Sequence, residues 1–354
     1  MKKTAVVLFN LGGPDSKAAI QPFLLNFFTD PNIIRLPYPF RWMLARLIAF
    51  RRSRKEAGTS YGELGDKSPL LENSQEQATA LELLLNNNQG TEYKNFVCMR
   101  YWHPMADEVA KKVKEWNPDN IVLLPLYPQY STTTTRSSFE TWQKSCDKIG
   151  LTKPFKLVCC YPAQGGFVQA SADNVRAQYE KAALETGLTP RILLSAHGLP
   201  EKIVKDGDPY QSQCELSATE IINATGFQNP NWQICYQSRV GPQKWLGPST
   251  EEALERAAKD GVPVVILPHA FTQEHVETLV EIDIEYREVA DHLGVPGFYK
   301  VETVGTHPEF IQGLADMVLS SRNAPVISSN VGVSCCGGSK DCAMKQFSKF
   351  NEAL

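Results

Sequence analysis

His197 closes the apolar run Leu193-Leu194-Ser195-Ala196 and is followed by Gly198 and Pro200. An imidazole there titrates near neutrality and can accept a proton or, when neutral, bind a transition metal. A lone histidine hydrogen-bonded in a turn explains the position equally well, so a second constellation has to decide. It is His275-Val276-Glu277-Thr278-Leu279-Val280-Glu281-Ile282-Asp283-Ile284-Glu285-Tyr286. Glu277, Glu281 and Glu285 recur at i, i+4 and i+8, so on a helix they form one acidic line. No Lys or Arg lies between Asp260 and Arg287 to neutralise it, and like charges at this spacing destabilise a helix. The plain reading is a solvated acidic face. The functional one is metal ligands at one end and a proton path along the rest. His275 and Glu277 diverge on an ideal α-helix; a π-bulge brings such residues closer, and we expect a distortion there.

Aromatic side chains follow other apolar runs. Arg100-Tyr101-Trp102-His103-Pro104 and Tyr127-Pro128-Gln129-Tyr130-Ser131 are two such places, and Tyr210, Trp245 and Phe271 add further rings. Each has an ordinary packing explanation. Together they suit a large, flat, apolar ligand, with Arg100 free to pair with a ligand carboxylate. Gly12-Gly13-Pro14 lacks the dinucleotide-binding pattern, no phosphate-binding loop or zinc-protease motif occurs, and the stretch from Ser131 to Thr135 reads as a helix cap.

The elements that must position these residues are eight short apolar runs, at 5–9, 95–99, 121–126, 155–160, 191–196, 233–236, 264–267 and 297–301. Continuous rather than alternating apolar character predicts parallel strands covered on both faces, and the helical patterns between them predict a doubly wound α/β architecture. The runs repeat. The first ends in Asn10-Leu11-Gly12-Gly13-Pro14 and the fifth in Ala196-His197-Gly198-Leu199-Pro200; the third ends in Leu124-Pro125-Leu126 and the seventh in Leu267-Pro268-His269. We therefore expect two similar Rossmann-like halves, each with a four-stranded parallel sheet, at 1–164 and 165–322, with a shared cleft at their strand C-termini and a C-terminal extension at 323–354. The first half carries an insertion from Leu36 to Phe50 whose only charges are Arg41 and Arg46, followed at once by Arg51 and Arg52. Such a segment forms a greasy lid or lies on an anionic membrane. With 36 basic against 39 acidic residues the chain is not expected to bind nucleic acid. No leader and no membrane-spanning run is evident, so a cytoplasmic location is expected, with peripheral contact at the inner membrane face.

These motifs resemble the ferrochelatase family over nearly the whole chain. The resemblance is carried by Leu11-Gly12-Gly13-Pro14, Arg100-Tyr101-x-His103-Pro104, Ser195-Ala196-His197-x-Leu199-Pro200, Gly207-Asp208-Pro209-Tyr210, Gln237-Ser238-x-Val240-Gly241-Pro242 and Phe271-x-x-x-His275-x-Glu277-Thr278-Leu279-x-Glu281. It implies a lyase that inserts Fe2+ into protoporphyrin IX, the last step of haem synthesis, in a porphyrin cleft between the halves. It implies His197 and Glu277 as the catalytic, metal-handling pair, with His275, Glu281 and Glu285 on the acidic helix. Leu11, Arg100, Tyr101, Tyr130, Ser131, Tyr210, Trp245 and Phe271 would face the porphyrin. Cys335-Cys336-x5-Cys342 resembles the cysteine group with which some members hold a 2Fe-2S centre, which needs four thiolates; Cys159 or Cys160 would be the fourth. Cys98, Cys160 and Cys235, which end strand-like runs, otherwise read as buried free thiols. The alternatives are a chelatase for coproporphyrin III or another tetrapyrrole, and a non-catalytic haem carrier. The oligomeric state stays open.

Overall fold

In the computed structural model, the described residues are 1–56, 61–87, 90–239, 243–321, 326–328 and 340–341. The strands are β1 (Lys2–Asn10), β2 (Thr91–Met99), β3 (Asn120–Pro125), β4 (Phe155–Cys160), β5 (Arg191–His197), β6 (Trp232–Gln237), β7 (Val264–Pro268), β8 (Phe298–Lys300) and β9 (Val326–Ser328). All eight expected runs fall on the first eight strands. Their continuous apolar character reflects burial on both faces: Ala5, Val6, Val7 and Leu8 on β1 and Val264, Val265 and Ile266 on β7 have no exposed surface.

The chain divides into two compact units. The first is Met1–Cys159, to which the chain returns from Ala315; the second is centred on Cys160–Leu314. The strand order is β2-β1-β3-β4-β9 in the first and β6-β5-β7-β8 in the second. Adding four to β2-β1-β3-β4 reproduces the second sheet, so the repeat seen in the loops is a repeat of topology. The ninth strand was not expected. Val326–Ser328, assigned above to a C-terminal extension, pairs with β4 as a fifth strand and covers what would be an open edge.

The first eight strands pair in parallel, and in each sheet the order reverses beside the first strand of the unit. Ligands of open α/β sheets sit outside the strand C-termini at this reversal. In the second unit that point lies between the ends of β5 and β7, the two strands that deliver His197 and the His275–Glu277 stretch.

Local signals hold the surrounding helices. Ser249 caps the helix Thr250–Asp260 in a reciprocal capping box with Glu252, and Gly261 ends it in a left-handed conformation. Its buried face, Ala253, Leu254 and Ala257, packs with Leu193, Ile266 and Ile282. The insertion forms the helix Tyr38–Glu56, on which Phe40 and Met43 are each 65% exposed, with Leu47 and Phe50 also exposed. Arg46 lies over the Trp42 ring and Arg54 over the Phe50 ring. No described helix is long and apolar enough to cross a membrane.

Candidate active site

The turn after β5 sets His197. Nδ1 is 2.7 Å from the Gly198 carbonyl, so it carries a hydrogen as donor and directs Nε2 outward. Gly198 must be glycine: a Cβ would stand 2.8 Å from the Gln237 carbonyl oxygen and 3.3 Å from the Trp245 ring. Leu199, Tyr210, Cys214, Tyr236 and Leu246 pack beneath the turn with Ala196. Tyr210 and Trp245 thus back the histidine.

After β7 the chain enters a π-helix over Glu277–Glu285, closed by a bond from Tyr286 N to the Glu281 carbonyl. The expected local bulge is nine residues long. The widened helix brings Glu277 between two imidazoles. Oε1 is 3.5 Å from His197 Nε2, and Oε2 is 3.3 Å from His275 Nε2. His275 is buried, with its ring centroid 4.5 Å from that of Phe271.

The acidic line is graded. Burial opposes ionisation of Glu277, but the two imidazoles overcome it and hold the carboxyl well below its usual range. Burial also opposes charging of His197, and the Glu277 carboxylate outweighs it, raising the imidazole to about 9. Glu281 shifts the other way, raised by burial and by the charge on Glu277. Its carboxylate accepts from Ser238 N at 2.8 Å, Ser238 Oγ at 2.5 Å, Gln237 Nε2 at 3.1 Å and Tyr286 OH at 3.1 Å. Glu285, the last of the line, is exposed.

Gln237 and Ser238, which the sequence marks only as part of a motif, hold the Glu281 carboxylate. Gln237 is fully buried; it accepts from Ser195 Oγ at 2.9 Å and donates to the Glu277 carbonyl at 3.3 Å, joining β5 to the π-helix. Ser238 sits at φ 62°, a left-handed conformation costly for a non-glycine residue. That conformation lets its amide and hydroxyl grip one carboxylate. The available signal was position: Gln237 ends β6 and Ser238 follows it, beside β5.

In the first unit, Arg100 binds Asp30 at 2.8 Å and Ser137 Oγ at 2.6 Å, and the Tyr101 hydroxyl donates to Asp30 at 2.7 Å. Tyr101 is fully buried, so it supports the surface from behind. Tyr130 and Ser131 are also buried, and Ser131 Oγ caps the π-turn Thr132–Arg136 by accepting from Thr133 N. Leu11 is half-buried, its carbonyl accepting from Tyr101 N.

Cys98, Cys160 and Cys235 are buried, as is Cys159. Cys160 Sγ accepts from Gln213. Cys335, Cys336 and Cys342 lie outside the described residues. Among the described residues no group of three or more His, Cys, Asp or Glu side chains is arranged to hold a metal ion, so nothing there supports an iron–sulfur centre.

His269, at the end of β7, is buried with Nε2 3.3 Å from the Cys214 carbonyl, and burial lowers it to about 4. The unfolded chain, titrating near 6.5, takes up the proton first. Stability present above pH 6.5 should therefore be lost as pH falls toward 4, by about 3 kcal/mol at the low end. Urea midpoints at pH 7 and 4.5 check this: the acid loss should be smaller in His269→Gln than in the unmodified protein.

A doubly wound sheet repeated once, with an imidazole–carboxylate site at the strand reversal, is the architecture of a chelatase. The solved structure of SirB from Bacillus subtilis with Fe3+ has a similar fold, with a TM-score of 0.50, 13% identity and coverage of 91% of this chain and 96% of that one. The Ferrochelatase family model matches residues 3–322. The ferrochelatase of Wolbachia sp. subsp. Drosophila simulans (strain wRi) is 51% identical over 319 residues, 90% of this chain and 99% of that protein. That of Caulobacter vibrioides (strain NA1000 / CB15N) is 47% identical over 348 residues, 98% of each. The chain belongs to the ferrochelatase family, whose members are lyases that insert iron into protoporphyrin in haem synthesis.

Proposed function

We infer that Fe2+ is substrate at Glu277 and that His197 takes the protons released when protoporphyrin IX is metallated. Insertion replaces two pyrrole N–H bonds by metal–nitrogen bonds, so the site must accept two protons and strip water from the ion. The observation that carries the reading is the Glu277 carboxylate lying between His197 and His275. It is ionised and partly exposed, as a carboxylate that takes metal must be. While its charge is uncompensated, it keeps His197 protonated. Fe2+ held there cancels that charge, releases the proton from His197 and leaves a neutral imidazole for a pyrrole proton. Glu281, raised and hydrogen-bonded, then passes protons toward exposed Glu285. Leu11, Arg100, Tyr101, Tyr130 and Ser131 in the first unit, and Tyr210, Trp245 and Phe271 in the second, are the proposed porphyrin contacts, some direct and some supporting.

The test is anaerobic incubation of the purified protein with Fe2+ and protoporphyrin IX, followed by absorbance. Haem should form at a rate proportional to enzyme. Faster turnover of coproporphyrin III would move the substrate assignment, and binding of haem without turnover would favour a carrier.

Two finer features belong to the same reading. The exposed apolar and arginine-bearing face of Tyr38–Glu56 is proposed to rest on the anionic inner face of a membrane, which vesicle co-sedimentation tests. A 2Fe-2S centre on Cys335, Cys336 and Cys342 with Cys159 or Cys160 is supported by cysteine spacing alone. No catalytic step depends on it. Acid-labile sulfide in anaerobically purified protein tests it.

A further inference from the structure

Glu274, just before the catalytic stretch, makes contacts that the chemistry above does not use. Its carboxylate accepts from Lys300 Nζ at 2.9 Å, from Thr303 N at 2.8 Å and from Thr278 Oγ1 at 2.5 Å. Thr278 Oγ1 in turn accepts from His275 N at 2.9 Å. Glu274 and Thr278 thus close a ring around His275, Val276 and Glu277, at the entrance to the π-helix. Lys300 ends β8, where it is in register with Ile266 of β7, and Val301 N bonds the Ile266 carbonyl. The ring is therefore tied to the frame of the sheet. Gly305 N adds a second tie, to the Thr272 carbonyl, along the same edge.

The ion pair is largely buried, with the Lys300 side chain 8% exposed and that of Glu274 21%. Such a pair is a poor device for stability, because an apolar pair of similar volume often serves as well or better. It is a good device for fixing one geometry, since a charge that shifts loses its partner. The ring brackets the two residues whose side-chain contacts with each other, and of Glu277 with His197, define the site.

We propose that Lys300 is a positioning residue for metal insertion, holding the first turn of the π-helix through Glu274 and Thr278 so that Glu277 stays between His275 and His197. The proposal rests on the reading of that group as the insertion site.

The experiment compares Lys300→Met, Lys300→Arg and the double variant Lys300→Met/Glu274→Leu by Tm, steady-state kinetics and NMR titration of the His197 imidazole. Lys300→Met should lower kcat about tenfold or more with KM for protoporphyrin unchanged, since misplacement by about 1 Å can cost 10²-fold. Lys300→Arg should retain much of the rate. The double variant leaves no charge unpaired, so its Tm should return toward that of the unmodified protein while kcat stays low. In both Met-containing variants the His197 midpoint should fall, because Glu277 no longer holds its place. Near-normal kcat in a double variant of restored Tm, or an unmoved His197 midpoint, overturns the proposal. If Lys300→Met does not fold, the double variant carries both readouts. If the unmodified protein inserts no iron, the function reading fails, and the titration still decides the positioning role.

Discussion

Replacing His197 or Glu277 by alanine should lower the rate of Fe2+ insertion by about 10²–10⁴-fold, the range expected when a positioned proton acceptor or its partner is removed. Fold stability should change little. Both side chains are about one-third exposed, 35% for His197 and 32% for Glu277, and ion pairs in contact with water contribute roughly 0–1 kcal/mol. The two variants should differ in kind. His197→Ala keeps the carboxylate and the His275 contact, so iron affinity should hold while kcat falls. Glu277→Ala removes the group proposed to take iron, so KM for iron should rise as kcat falls. Stopped-flow absorbance under anaerobic conditions, with circular dichroism as the folding control, measures both. Near-normal turnover in either variant sinks the assignment.

The second large effect concerns the proton on His197. In the unmodified protein its imidazole should titrate near 9, and in Glu277→Gln the midpoint should fall by about 1–3 pH units. The sign follows from the competing causes. Burial favours the neutral ring and the Glu277 charge favours the protonated one. Glutamine keeps the shape and removes the charge, so burial prevails and at pH 7 the neutral fraction grows. The imidazole carbon proton followed by NMR against pH reads this directly. An unchanged midpoint would mean that the 3.5 Å contact is not what holds the proton. The result also bears on the division of labour, since His197 can act as base only after something cancels the charge of Glu277.

Much of this was legible because its causes are local. The centres of β1 and β7 are buried on both faces, so apolar residues fill consecutive positions there and leave continuous runs that a reader can find. The repeated loop motifs exposed the duplication because equivalent turns need equivalent residues. His197 and the glutamate line were visible through their place after a strand and their helical spacing.

What the order of residues left undecided depends on partners distant in the chain. Arg100 and Tyr101 meet Asp30 some seventy positions away, which makes them part of an internal network as well as candidates for a ligand. Gln237 and Ser238 reach Glu281 only because β6 lies beside β5, and no propensity rule places a serine in a left-handed conformation. The full extent of the π-helix follows from bonds made after packing, where the spacing of His275 and Glu277 suggested a single bulge. Val326–Ser328 became a strand because β4 presented an edge for it. By itself the sequence determined the strands and their repetition, set by burial and near-neighbour sterics, and it named the candidate groups for the chemistry. The tertiary structure alone decided which carboxylate lies between the imidazoles, and therefore which groups carry charge, because pKa follows from burial and neighbouring charge rather than from residue type.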